Sequence, residues 1–240
     1  MSPKSQAETT RRPRGSLSRA EILQGAFALV SDDGVEAFSM SRLAKKLDIG
    51  VMSMYWYFRN KDDLLDALSD EAARRFAELL PDLSGYPWDE HLREYFRAFR
   101  RIYREQPVLR DLIIMRAPMQ YRSHEALHSY FERLEREIAV LVDAGFTIDA
   151  AARAYAVLSI YARGCLINER LFADSGQERN SAEYNAALGQ IDFAGMPYLA
   201  KVHGVWDPEV AMEGEFEHGL GLIIEGLRSM LEQTAKAPGT

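Results

Sequence analysis

The 240-residue sequence predicts an all-α protein. Three observations carry that reading. Apolar residues recur at helical spacing in nearly every segment, the residues between segments are helix caps and stops, and no stretch shows the alternation of a half-buried strand. With 47% apolar residues the chain has ample material for a core, and no internal repeat is visible.

The elements follow in order. Residues 1–17 carry Pro, Ser and Arg with almost no apolar content and read as a disordered basic arm. Ser18 and Glu21 form a capping box, with Leu17 placed to staple onto Ile22. Ile22, Ala26, Leu29 and Val30 carry the first helix to its stop at Asp33-Gly34. Ser39 caps a short second helix bearing Leu43, Ala44 and Leu47. A turn at Asp48-Ile49-Gly50, where Asp tolerates a left-handed conformation, leads into a third helix expected to run to about Phe58. Asn60 with Asp63 caps the fourth, which runs through Leu64, Leu65, Leu68, Ala72 and Phe76 to about Leu80.

After a loop, Pro87 suits the first turn of a fifth helix with Leu92, Tyr95, Phe96, Phe99, Ile102 and Tyr103. Pro107 restarts the chain into a short helix ending near Arg116-Ala117-Pro118. Leu127, Phe131, Leu134, Ile138 and Leu141 form the stripe of a long helix that stops at Gly145. Thr147 opens another, with Tyr155, Leu158, Tyr161, Ala162, Cys165 and Leu166. Residues 174–190 turn polar and read as a loop. Asp207-Pro208 then starts a last helix with Phe216, Leu220, Ile223, Leu227 and Leu231.

Composition narrows the function. The longest apolar stretches fall far short of the roughly 20 residues that span a bilayer, and Met1 to Ser18 lacks the apolar core of a secretory signal, so a cytoplasmic protein without a membrane segment is expected. Cys165 stands alone, which excludes an internal disulfide or a multi-cysteine zinc site. The net charge of -7 hides an asymmetry. Residues 1–61 hold ten Lys/Arg against six Asp/Glu, a balance of +4, whereas residues 62–240 hold nineteen against thirty, a balance of -11. A polyanion is drawn to the first segment and repelled by the second.

Residues 39–58 have the makings of a helix-turn-helix: a short capped helix, a tight turn, and a second short helix anchored by Leu43, Ala44, Leu47, Ile49 and Met54. Phe38-Ser-Met-Ser-Arg-Leu-Ala, followed by Ile49-Gly-Val-Met-Ser-Met-Tyr-Trp-Tyr-Phe-Arg-Asn-Lys-Asp-Asp-Leu-Leu, resembles the TetR-family signature. The spacing of Tyr55, Phe58, Lys61, Leu64 and Leu65 is its specific part. Further along, Trp88, Ala117-Pro118, Gly145-Phe146, Gly164 and Phe216-Glu-His-Gly219 resemble the tetracycline-repressor branch in order and rough spacing.

The resemblance implies a ligand-responsive repressor, released from operator DNA by an effector and working as a homodimer without a cofactor. Its implied organisation is the arm at 1–17, a DNA-binding domain at 18–62, a helical effector-binding and dimerisation domain at 63–235, and a flexible tail at 236–240. By motif position Ser41, Arg42, Val51, Met52, Ser53, Tyr55 and Tyr57 would face DNA, with Lys61 on a phosphate at a helix N-terminus. Specificity would lean on Arg42, on apolar contacts and on DNA shape. Arg14, with Arg11 and Arg12, would reach into the minor groove.

The implied effector pocket draws on Phe76, Ala77, Tyr95, Phe99, Tyr103, Ile113, Arg116, Met119 and Phe131, and the dimer seam on Tyr155, Ala162, Phe216, Gly219, Ile223 and Leu227. The branch's helix-four histidine falls on Ala77, and its magnesium-holding histidine falls near Ile113. Tetracycline with magnesium is therefore not the expected effector. A largely apolar or aromatic molecule is, with a polar handle met by Arg116 or Tyr95. A rival reading rests on His124-Glu125-x-x-His128, whose histidines one helical turn apart could hold zinc with the glutamate as general base. The stripe of Leu127 and Phe131 on the same helix and the lack of a placed third ligand weigh against it, and no catalytic or metal-binding residue is assigned.

Overall fold

The computed structural model describes residues 18–116, 123–174, 186, 189–202 and 208–236, and every regular element among them is helical. Arg11, Arg12, Arg14, Leu17, Met119, the step at Ala117-Pro118, Asp207 and most of the 174–190 segment lie outside the described residues. The helices are α1 (Arg19–Asp33), α2 (Met40–Lys46), α3 (Val51–Met54), α4 (Lys61–Leu79), α5 (Trp88–Glu105), α6 (Pro107–Arg110), α7 (His124–Asp143), α8 (Ile148–Asp174), α9 (Leu199–Val202) and α10 (Pro208–Lys236), with a π-helical turn at Asp111–Arg116.

The caps follow the local chemistry. The Ser18 hydroxyl accepts the Glu21 N–H at 3.1 Å, and the Glu21 carboxylate accepts the Ser18 N–H at 2.8 Å. Ser39 accepts from Arg42 N–H at 3.2 Å, Asn60 from Asp63 N–H at 2.8 Å, and Thr147 from Ala150 N–H at 3.3 Å. Gly34 ends α1 at φ 81°, a region that side chains resist.

Two compact units emerge. One comprises the chain to Leu79 with Gln106–Tyr130; the other comprises Leu80–Glu105 with Phe131 onward. In the first, α1 packs on α2, α4 and α6, and α4 also packs on the π-helical turn. Ile22, Phe38, Leu43, Met54, Phe58, Leu64, Leu65, Leu68 and Phe76 are its buried large side chains. The buried Ser69 hydroxyl lies 3.0 Å from both the Leu65 and Leu112 carbonyl oxygens, tying α4 to the π-helical turn. In the second, α5 packs against α8 and α10, which also pack on each other. Tyr95, Phe96, Phe99 and Tyr103 form a chain of rings along α5, and Tyr95 and Phe96 meet Tyr155 of α8, with ring centroids 4.8–6.3 Å apart.

Candidate functional site

The α2–turn–α3 unit is built around a sharp reversal. Asp48 adopts φ 53°, the left-handed conformation expected of this position. Ile49 N–H then reaches back to Ala44 O at 3.0 Å. The third helix is shorter than its sequence pattern suggests. It ends at Met54, after which Tyr57 N–H closes a tighter turn onto Met54 O at 2.9 Å and the Phe58 ring enters the core.

Residues 55–57 are therefore carried outward on a turn. Met52 is 74% exposed and Trp56 89%, with Tyr55 and Tyr57 exposed beside them. Ser41 and Ser53 are also exposed, and Val51 is half-buried. So much aromatic and apolar surface on a rigid support marks a binding face. Trp56 went unassigned in the sequence, where an unbroken Tyr-Trp-Tyr-Phe run gives no phase; only the burial of Phe58 reveals which rings point out.

Arg42 has partners within the unit. Its guanidinium bonds Asp33 at 2.6 Å and Ala37 O at 2.9 Å, which fastens α2 to the end of α1. Lys61 is exposed at the first position of α4, with Nζ 5.8 Å from the Phe38 ring centroid.

The described residues of the implied effector pocket divide between the two units. In the first unit Phe76 is buried in the core, Ala77 is exposed and Ile113 is half-buried. Arg116 bonds Asp62 at 3.1 Å and Asp66 at 3.5 Å. Those carboxylates tie the π-helical turn to the start of α4. In the second unit Tyr95, Phe99 and Tyr103 are buried among rings, while Phe131 is exposed and so faces away from an enclosed core.

The second unit also carries polar structure that sequence reasoning missed. His91 Nε2 lies 2.9 Å from Glu137 Oε2, and Nδ1 lies 3.3 Å from Leu83 O, with Glu137 buried. The Glu137 carboxylate holds the imidazole pKa above its ordinary 6.5. Nearby, the Tyr95 and Tyr155 hydroxyls are 3.4 Å apart, and burial pushes the Tyr95 pKa up. An open cleft of about 520 Å³ between α5 and α10 is lined by Arg97, Arg100, Arg101, Arg104, Glu105, Glu213, Phe216 and Glu217. Buried Arg100 bonds Glu169 at 2.7 Å and Glu213 at 2.8 Å, while the Arg97 fork grips Glu217 at 2.9 and 2.6 Å. These charges close on one another, which suits a brace across α5, α8 and α10 better than an apolar ligand.

The residues expected at the dimer seam are placed by the second unit's own packing. Tyr155, Ala162, Phe216 and Leu227 are buried inside the second unit, and Ile223 is half-buried. Gly219 does allow a close approach, but to its own chain. A Cβ there would stand 2.2 Å from the Tyr161 hydroxyl oxygen, which donates to Glu215 O at 2.8 Å while the Tyr161 ring stacks on Phe216 at 5.8 Å. The outward stripe of α8 consists instead of exposed Val157, Ile160, Ile167 and Leu171, with Gly164 among them. On α10 it consists of exposed Leu222, Gly226 and Met230.

His124 and His128 are exposed on the first turns of α7, and no group of three His, Cys, Asp or Glu suited to a metal occurs among the described residues. No helix among the described residues is long and apolar enough to cross a membrane.

A three-helix unit that buries α1 beneath a capped α2–turn–α3 and exposes one face of it is a helix-turn-helix, the fold of a DNA-binding regulator. The chain belongs to the TetR family. Residues 22–68 match the model of bacterial regulatory proteins of the tetR family, and residues 80–231 match the tetracyclin repressor-like C-terminal domain. It is 36% identical over 236 residues to the HTH-type transcriptional repressor Rv1353c of Mycobacterium tuberculosis, covering 95% of this chain and 87% of that protein. It is 25% identical over 221 residues to the class C tetracycline repressor protein of Escherichia coli, covering 89% and 92% respectively. Among solved structures it is similar to the Streptomyces coelicolor TetR family protein ActR in complex with (S)-DNPA, with a TM-score of 0.68 and 25% identity over 89% of this chain and 98% of that one. The ActR complex with actinorhodin gives 0.69 at 24% identity, over 90% and 98%. The chain is thus a ligand-responsive, DNA-binding transcriptional regulator with an all-α fold.

Proposed function

We propose that the protein is a cytoplasmic repressor that holds operator DNA as a homodimer and releases it when a small, largely apolar or aromatic effector binds. It is proposed to act without catalysis. The observation that carries the reading is the exposed face of Met52, Ser53, Tyr55, Trp56 and Tyr57 over the buried anchors Leu43, Met54 and Phe58. Ser41, Ser53, Tyr55 and Tyr57 would position phosphates through their hydroxyls, Val51 and Met52 would touch thymine methyl groups, and Lys61 would hold a phosphate at the start of α4. Repressor polarity is supported by the Rv1353c relative. An aromatic effector is supported by the actinorhodin complex of ActR and by the ring-lined interior of α5.

The second copy would cover the outward stripe of α8 and α10. On α8 its members recur at intervals of three and four residues, the spacing of a helix-packing seam, and a pair of such chains presents two reading heads. Effector-driven movement of the π-helical turn would reach α4 through Ser69 and through Arg116 on Asp62 and Asp66, beside Lys61. A coupling of roughly 1–3 kcal/mol is typical of such switches.

The test is retention of duplex DNA selected from a random pool, with Tyr55→Ala as the variant. Specific retention is expected to fall at least about tenfold, the equivalent of roughly 1.4 kcal/mol, with helicity unchanged. Unchanged retention would overturn the assignment.

A further inference from the structure

The ten Lys and Arg of the first 61 residues look alike in the sequence, but the structure sorts those it describes into two kinds. In the first unit Arg42, Lys46, Arg74, Arg75, Arg110 and Arg116 each form an ion pair with a described carboxylate. Arg19, Lys45, Arg59 and Lys61 form none with any described residue. All four are exposed, and all four belong to the helix-turn-helix or its borders.

Their placement is not scattered. Arg19, at the first position of α1, lies with its guanidinium 4.8 Å from the centroid of Phe58, the residue preceding Arg59. A separation of 39 positions between Arg19 and Phe58 thus becomes contact at the turn after α3. Lys61 stands near Phe38, which leads into α2, and Lys45 follows Ser41 by one helical turn on the exposed face of α2. Lys46, the next residue, swings away to Asp32 at 2.8 Å. The acids beside Lys61 are also spoken for. Asp62 and Asp66 hold Arg116, while the Asp63 carboxylate accepts the Arg59 backbone N–H at 3.0 Å. The fold removes internal competitors from one set of cations and supplies them to the other.

We infer that Arg19, Lys45 and Arg59 join Lys61 as the phosphate-holding cations of the DNA face, and that Arg42 and Lys46 are structural. The inference rests on the DNA-binding reading above. An unpaired surface cation that meets a phosphate releases a condensed counterion, which makes affinity fall with salt in proportion to the number of phosphates neutralised. A cation already closed on aspartate must give up one partner to take the other, so it adds little to that dependence. Phosphate contacts carry no base information and act alike on every duplex.

The experiment measures binding of the full chain to a duplex selected by the wild-type protein, and to an unrelated duplex, by fluorescence anisotropy across a series of NaCl concentrations. Lys45→Gln, Arg59→Gln and Arg19→Gln are each expected to lower the magnitude of the log–log salt slope by about 0.9 for each phosphate left without its cation, and to weaken both duplexes alike. Lys46→Gln is expected to leave the slope unchanged, and circular dichroism checks that each variant is folded. Equal slopes in the wild type and in Lys45→Gln and Arg59→Gln, or an equal drop in Lys46→Gln, overturn the inference while the DNA-binding reading stands. Failure of the wild-type chain to retain any duplex overturns both.

Discussion

The α2–α3 face and the α8–α10 pair pose opposite versions of one problem. Each keeps one side for its own core, and each is proposed to offer the other to a partner. In α2, α3 and the turn that follows, Leu43, Ala44, Met54 and Phe58 are buried while the hydroxyls of Ser41, Ser53, Tyr55 and Tyr57 lie outside beside exposed Met52 and Trp56. In α8 and α10 both sides are apolar: Leu158, Ala162 and Leu166 face in, and Val157, Ile160 and Ile167 face out. A partner of phosphates and bases takes hydroxyls as well as apolar surface, whereas the second copy proposed for α8 and α10 would take apolar surface alone.

The sharpest way to break the comparison is to put the same charge on the two sides of α8. Ala162→Asp places an unpaired carboxylate at a fully buried site and is expected to cost at least about 3 kcal/mol, leaving little folded protein in a thermal melt. Ile160→Asp, at a site 72% exposed, is expected to keep its melting behaviour as a monomer but to shift the sedimenting species from two chains to one. If Ile160→Asp sediments like the wild type, the outward stripe is not the seam.

A smaller effect tests the brace within the second unit. His91→Ala leaves buried Glu137 without its imidazole and is expected to cost about 2–4 kcal/mol by denaturant unfolding. The pair also has a pH signature. Because the folded pKa of His91 lies above 6.5, its contribution is fully present below that value and is lost as pH rises through the raised one. A melting-temperature difference between His91→Gln and the wild type should therefore shrink from pH 6 to pH 8.5; a constant difference would remove the imidazolium from the account.

Smaller again is Gly219→Ala, whose methyl group must displace the Tyr161 hydroxyl from the Glu215 carbonyl. A loss of about 1–3 kcal/mol is expected, with the sedimentation of the wild type retained. A dimer that dissociates without losing stability would return Gly219 to the seam.

These regions also differ in how legible they were beforehand. Caps are local chemistry, so Ser18, Ser39, Asn60 and Thr147 announced their helices, and Asp48 its turn, from a few neighbouring residues. The phase of α8 and α10 was not legible, because periodicity separates apolar from polar and these helices have apolar residues on two sides. Small residues misled for a related reason: Gly219 signals proximity without saying to what. The ion pairs of Arg42 with Asp33 and of Arg116 with Asp62 were not legible either, because each depends on a residue 9 or 54 positions away. Trp56 was missed because four consecutive aromatic residues hide which ring anchors the rest.

The π-helical turn at Asp111–Arg116 has one further consequence. A turn wound at five residues per hydrogen bond holds one residue more than the α-helical path. Each residue of an α-helix advances the azimuth by about 100°, so that surplus sets the angular phase at which Arg116 meets Asp62 and Asp66. Loss of a single residue from this segment would leave its composition almost unchanged yet point the guanidinium a quarter-turn or more away from α4. In this stretch chain length is itself a specification, and a deletion there should be tolerated less well than most substitutions.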